Sequence, residues 1–244
     1  MRKLTLACFA FFICNFSWSQ NDDSVMIRSI ANEILLHGKA YDNLHDLTKN
    51  IGARLTASPG FYKAEQWGLK TIRESGADKS WLQECMVPHW VRGGKDEATA
   101  YSVSKKKDLD VIALGNSLGT GLNGLKADVL EVSSWDDLEK KRDLVKGKIV
   151  FYNYKFNPTF INTFQSYVDA VPYRGAGASR AAKYGALAVI VRSMTHSTDN
   201  NPHTGSLRYD TTLPKIPAVA IGLKDADWLD SALSGKPITV SLKT

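Results

Sequence analysis

The chain has 244 residues, 43% of them hydrophobic and 23% charged, with a formal net charge of +6. This length allows one large domain or two small ones around ordinary apolar cores. The basic excess is mild, and its lysines are scattered apart from Lys105-Lys106-Lys107, which reads as a solvated connector rather than a nucleic-acid face.

The first residues form an export signal. Arg2 and Lys3 precede an apolar run from Leu4 to Phe16, and Ser17-Trp18-Ser19 places small residues for cleavage before Gln20. The run is shorter than the about 20 apolar residues a membrane span needs, so an uncleaved anchor is the weaker alternative. The protein is therefore expected to be exported, periplasmic or extracellular, with no membrane attachment after cleavage. Cys8 and Cys14 leave with the signal. Cys85 then stands alone, which excludes an intramolecular disulfide and a cysteine-rich zinc site.

Helical periodicity follows. Met26, Ile30 and Ile34 share one face of a helix stopped by Gly38. Tyr41, Leu44, Leu47 and Ile51 form a second stripe ending at Gly52. Ser58 with Pro59 opens a third helix that passes Trp67 and Ile72 and ends at Gly76.

Beyond Lys79 the period becomes extended. Strands are expected at Trp81–Val87, Ala98–Val103, Leu109–Leu114, Ala127–Val132, Lys148–Tyr154, Ala186–Arg192, Ala218–Ile221 and Ile238–Leu242. Ser134 opens a short helix in a capping pattern with Asp137, and another spans about Asp225 to Leu233. The apolar strand ending at Tyr154 leads through a polar, aromatic-rich loop to Tyr173. A helix rich in small residues from Arg174 to Gly185 and the strand from Ala186 follow. This strand–helix–strand unit implies a parallel pair with a right-handed crossover. The fold class is mixed α/β: a helical lead-in, then a strand-rich region with a βαβ unit.

Several segments carry a family resemblance. Ile51-Gly-Ala-Arg-Leu-Thr-Ala-Ser-Pro-Gly60 resembles a segment of secreted zinc aminopeptidase-like exopeptidases of the carboxypeptidase Q type. Val87-Pro-His-Trp-Val-Arg-Gly93, Leu114-Gly-Asn-Ser-Leu-Gly-Thr120, Gly147-Lys-Ile-Val150, Gly175–Ala186, Val191-Arg-Ser193, Pro202-His-Thr-Gly205 and Lys215-Ile-Pro-Ala-Val-Ala220 agree in order. The resemblance implies that residues 20–99 are the lead-in of a peptidase domain. Residues 100–244 would be an inserted protease-associated-like domain. It also implies two zinc ions in complete members and short-peptide hydrolysis. The family's metal pattern needs a His-x-Asp segment and a Glu-Glu pair, to hold zinc and to take a proton from its water. Neither occurs here, so no catalytic or metal residue is assigned. On this reading the peptidase domain that completes the enzyme lies outside the chain, and the chain alone is inactive.

Other chemistry is weakly supported. His196, Asp199, His203 and Asp210 lie close in sequence. They allow three readings: a polar surface loop, a metal site, or a loop bordering a peptidase cleft in which His203 or Arg208 holds a substrate's carboxylate or amino terminus. Gly175-x-Gly177 reads as helix–sheet contact rather than a dinucleotide fingerprint. No serine sits in a Gly-x-Ser-x-Gly elbow. Cys85 reads as a core strand cysteine rather than a nucleophile paired with His89. His89-Trp90 and the aromatic loop Phe151–Phe164 could bind peptide, though packing explains them better. The alternative to a peptidase portion is a stand-alone exported module that binds peptides or a protein partner.

Overall fold

A computed structural model describes residues 19–103 and 105–244, with side chains from residue 22. The proposed export signal lies outside the described residues, apart from its last position. The chain divides into two compact units, up to His89 and from Trp90.

The first unit is helical: α1 (Ser19–His37), α2 (Ala40–Asp46), a π-type turn at Leu47–Ile51, and α3 (Pro59–Glu74). The local signals act as expected. Ser58 Oγ accepts from the Phe61 N–H (3.2 Å), and Pro59 begins α3 without losing a bond. Gly52 and Gly76 take positive φ and end their turns. Yet α2, α3 and the π-type turn bury no residue. The stripe of α1 is open to solvent, with Ile30 52% and Ile34 65% exposed. Trp81–Val87 is no strand. It is extended and exposed, with no backbone partner among the described residues, because a strand needs a neighbour to hydrogen-bond and this unit contains none. Cys85 is correspondingly exposed, not in a core.

The second unit is an eight-stranded sheet: β1 (Glu97–Tyr101), β2 (Lys106–Leu109), β3 (Val111–Ala113), β4 (Leu125–Val132), β5 (Ile149–Tyr152), β6 (Ala188–Arg192), β7 (Ala218–Ile221) and β8 (Thr239–Lys243). The order is β2-β1-β8-β4-β5-β6-β7-β3, with β4 to β7 parallel and the rest antiparallel. Helices α4 (Trp135–Lys140), α5 (Thr163–Ala182) and α6 (Leu223–Leu233) pack on it.

The expected strand Leu109–Leu114 breaks at Asp110, and that break shapes the unit. It leaves β2 and β3 at opposite ends of an eight-strand order although one residue joins them. Laid flat, the two edges would stand roughly 34 Å apart, at about 4.8 Å per strand. Two residues reach about 7 Å. The sheet must therefore curl until its edges meet, and β1 touches β3. Asp225 locks this joint. Its Oδ2 accepts from the Asp110 N–H (2.7 Å) and from Asn200 Nδ2 (2.9 Å), and Oδ1 pairs with Lys107 Nζ (2.7 Å). Lys107 thus belongs to a strand and an ion pair, not to a solvated connector. Burial pushes the Asp225 carboxyl up, but the Asp110 amide, the Lys107 ammonium and the Asn200 amide outweigh it and hold it below the ordinary aspartate value.

The buried strands serve two cores alternately. Ile149, Phe151, Ala188, Ile190, Val219 and Ile221 join Leu229 of α6 on one face. Val150, Tyr152, Val189, Val191, Ala218 and Ala220 join Leu138 of α4 and Ala178 and Ala182 of α5 on the other. Strands covered on both faces read as continuous apolar runs. Helix α5 begins at Thr163, well before the expected start at Arg174. Asn162 caps it, accepting from the Phe164 N–H at 2.9 Å, and Pro172 sits exposed within it.

Candidate functional site

The carboxyl ends of the parallel strands β4 to β7, where open α/β sheets offer crevices, carry Glu131, Asn153 and Arg192. The ends of β4, β5 and β6 are tied by a chain of bonds. Asn153 Nδ2 donates to Glu131 (2.6 Å), Arg192 Nη1 donates to Asn153 (3.1 Å), and Arg192 Nη2 pairs with Asp227 (2.7 Å).

The segment after β6, residues 193–217, closes over this end. Ser193 Oγ donates to the Ile221 carbonyl (2.6 Å) and accepts from the His203 N–H (2.8 Å). The Gly115 N–H donates to the Gly205 carbonyl at 2.9 Å, and the Leu207 N–H donates to the Gly115 carbonyl at 3.0 Å. The Arg208 N–H reaches the Gly175 carbonyl (2.9 Å), and the Asp210 N–H reaches Ser179 Oγ (2.8 Å). The small residues of α5 thus let a loop dock on its backbone. Gly177 has the same purpose toward the sheet, since a Cβ there would lie 2.8 Å from the Tyr152 ring.

The four loop residues singled out by spacing do not converge. The His196 ring stands edge-on to Phe156, 4.6 Å between centroids. Asp199 accepts from Ser197 Oγ (2.5 Å) and the Asn201 N–H (2.8 Å), and these bonds hold its carboxyl below the usual value. Asp210 accepts from Thr212 and is lowered likewise. His203 is half-buried and Arg208 exposed; their backbones anchor the loop, and neither side chain has a hydrogen-bond partner among the described residues. Among the described residues no group of three or more His, Cys, Asp or Glu could hold a metal ion, so zinc does not fit these residues.

A different set does converge. Phe156, Phe164, Tyr167, Met194 and His196 wall an open cavity of about 870 Å³ at the start of α5. Beneath it Tyr154 stacks on Tyr173 (4.3 Å), which stacks on Trp135 (4.1 Å). Tyr154 Oη donates to Asp169 (2.5 Å). That bond, with burial, pushes the phenol up to about 12, so it stays a donor at neutral pH. In the sequence the aromatic loop Phe151–Phe164 could bind peptide but reads more readily as packing. The helical start at Thr163, which aims Phe164 and Tyr167 together, did not show.

Known proteins resemble the chain over most of its length. The chain is 36% identical over 216 residues to carboxypeptidase Q of Xenopus laevis and 35% identical over 215 residues to that of Homo sapiens. Each match takes in 86% of this chain and 44% or 43% of the relative, so the chain spans less than half the length of these relatives. The crystal structure of a peptidase M28 precursor from Shewanella amazonensis matches with a TM-score of 0.83 at 29% identity, over 92% of this chain and 50% of that one. A zinc aminopeptidase from Bacillus subtilis shares the fold at a TM-score of 0.50 and 22% identity, over 84% of this chain and 42% of that one. No protein-family model matches. Over most of its length the chain is thus similar to carboxypeptidase Q and to a peptidase M28 precursor. Its homologues at this level are named carboxypeptidase Q, as its motifs led one to expect. No helix among the described residues is long and apolar enough to cross a membrane.

Proposed function

We propose that this chain is the lead-in and accessory portion of an exported, zinc-dependent exopeptidase that hydrolyses short peptides. Residues 1–19 serve as the export signal, residues 20–99 belong to the peptidase domain, and residues 100–244 are its protease-associated-type domain. The observation that carries this reading is the ordered match to carboxypeptidase Q over 86% of the chain but 44% of the relative. One feature supports it: large apolar side chains of the lead-in, among them Ile30, Ile34, Leu44 and Ile72, are more than half exposed, as on helices that dock on a further domain. The zinc ligands and the water-activating glutamate then belong to that further domain.

In this reading the loop holding His203 and Arg208 borders the cleft, and one of them holds a substrate terminus. Dipeptide hydrolysis by the purified, zinc-supplemented chain tests the reading. No turnover is expected from residues 1–244, and chelator-sensitive turnover by them would sink it. Replacing His203 in a full-length relative should raise KM; an unchanged KM removes that residue's role. The self-contained double core of the second unit favours one alternative, a module that binds peptides without cleaving them. Tight peptide binding by a protein that proves catalytically silent at full length would select it.

A further inference from the structure

Three half-buried arginines occur among the described residues, and two of them hold an aspartate: Arg92 with Asp96 at 3.0 Å, Arg192 with Asp227 at 2.7 Å. The third, Arg174, has no carboxylate partner among the described residues. Its Nη2 donates to Tyr167 Oη (2.5 Å), its guanidinium lies 5.4 Å from the Tyr167 ring centre, and its Nε is buried without an acceptor. Gly205 makes room for it, because a Cβ there would lie 2.4 Å from the guanidinium carbon. Tyr167 is also a wall of the aromatic cavity beside Phe164, Phe156 and Met194. Three other cavities among the described residues each include an Asp or Glu, but the walls of this one hold none. The nearest acid on α5, Asp169, is engaged by Tyr154.

An apolar slot beside an uncompensated guanidinium suits a ligand that joins an apolar group to a carboxylate. We infer that this cavity binds the carboxyl-terminal end of a peptide, with an apolar or aromatic last side chain among Phe156, Phe164 and Tyr167 and its carboxylate on Arg174. The peptidase reading guides only the choice of ligand. Binding here is an equilibrium property of this chain and needs no turnover.

The test is calorimetric titration of the full chain with N-acetylphenylalanine, its amide, and N-acetylglycine. The acid should bind about tenfold more tightly than the amide, the gain of a charge-assisted bond, and more tightly than the glycine compound. Arg174→Gln should abolish the preference for acid over amide while amide binding persists. Gly205→Ala, which keeps the charge but displaces the guanidinium, should weaken the same preference. Phe164→Ala should weaken acid and amide alike. Equal affinity for acid and amide, or a preference that survives Arg174→Gln in a chain whose melting is unchanged, overturns the inference. The proposed function is tested by turnover of a dipeptide and this inference by equilibrium binding, so the failure of one and the failure of the other are separable.

Discussion

Asp225 shows how a single side chain can hold a fold closed. Its carboxylate joins the β2–β3 corner, the 193–217 segment and the first turn of α6. Asp225→Asn keeps the shape but loses the charge-assisted bonds. The expected cost is about 1–3 kcal/mol, measured as a lower urea midpoint at unchanged m-value. The pH dependence has a fixed sign. The folded carboxyl is lowered relative to the unfolded one, so its contribution is present above the unfolded aspartate value, about 4, and is lost as pH falls through the folded one. The variant should therefore lose stability at neutral pH and show a shallower acid limb than the parent. Gly177 makes a second case. A methyl group there meets the buried Tyr152 ring, whose hydroxyl donates to the Gly177 carbonyl at 2.9 Å. Gly177→Ala should cost about 1–3 kcal/mol by overpacking, whereas Gly175→Ala, with open space around its Cβ, should be nearly neutral in the same melt.

Among elements, the two extended stretches Trp81–Val87 and Ala188–Arg192 make a useful contrast. Both read as strands, since each is rich in apolar or β-prone residues bounded by breakers. Ala188–Arg192 finds β5 and β7 on either side and vanishes into two cores. Trp81–Val87 finds no neighbour, and Met86 is 98% exposed. Period and propensity are local properties, but a strand exists only when a second chain segment supplies its donors and acceptors. Amide hydrogen exchange should read this directly: fast exchange at residues 81–87 in this chain, strong protection at 188–192. Slow exchange there in the present chain would contradict the exposed segment described above.

For the whole molecule, burial is concentrated in one unit. Among the described residues the buried hydrophobic side chains lie between Ala98 and Leu242, in the second unit. Residues 90–244 alone should therefore melt cooperatively at nearly the temperature of the full chain, while removal of residues 20–80 should reduce binding of an apolar dye such as ANS. A large loss of melting temperature on that truncation would show that the lead-in is integral to the fold of this chain.

Much of this protein was readable from composition and order alone. Helix starts at Ser58 and Ser134, the buried runs at 149–152, 188–192 and 218–221, and the resemblance to carboxypeptidase Q all follow from short-range patterns of residues. What the sequence could not supply was which distant residues meet. The curl of the sheet depends on Asp110 finding Asp225, 115 positions away. The aromatic cavity depends on a helix that starts at Thr163 bringing Phe164 and Tyr167 against Phe156 and Met194. The loop of His196, Asp199, His203 and Asp210, close in sequence, spreads apart because each side chain or its backbone is satisfied by a different neighbour. Nearness along a chain sets conformation, whereas a site requires nearness in space, and packing alone decides that.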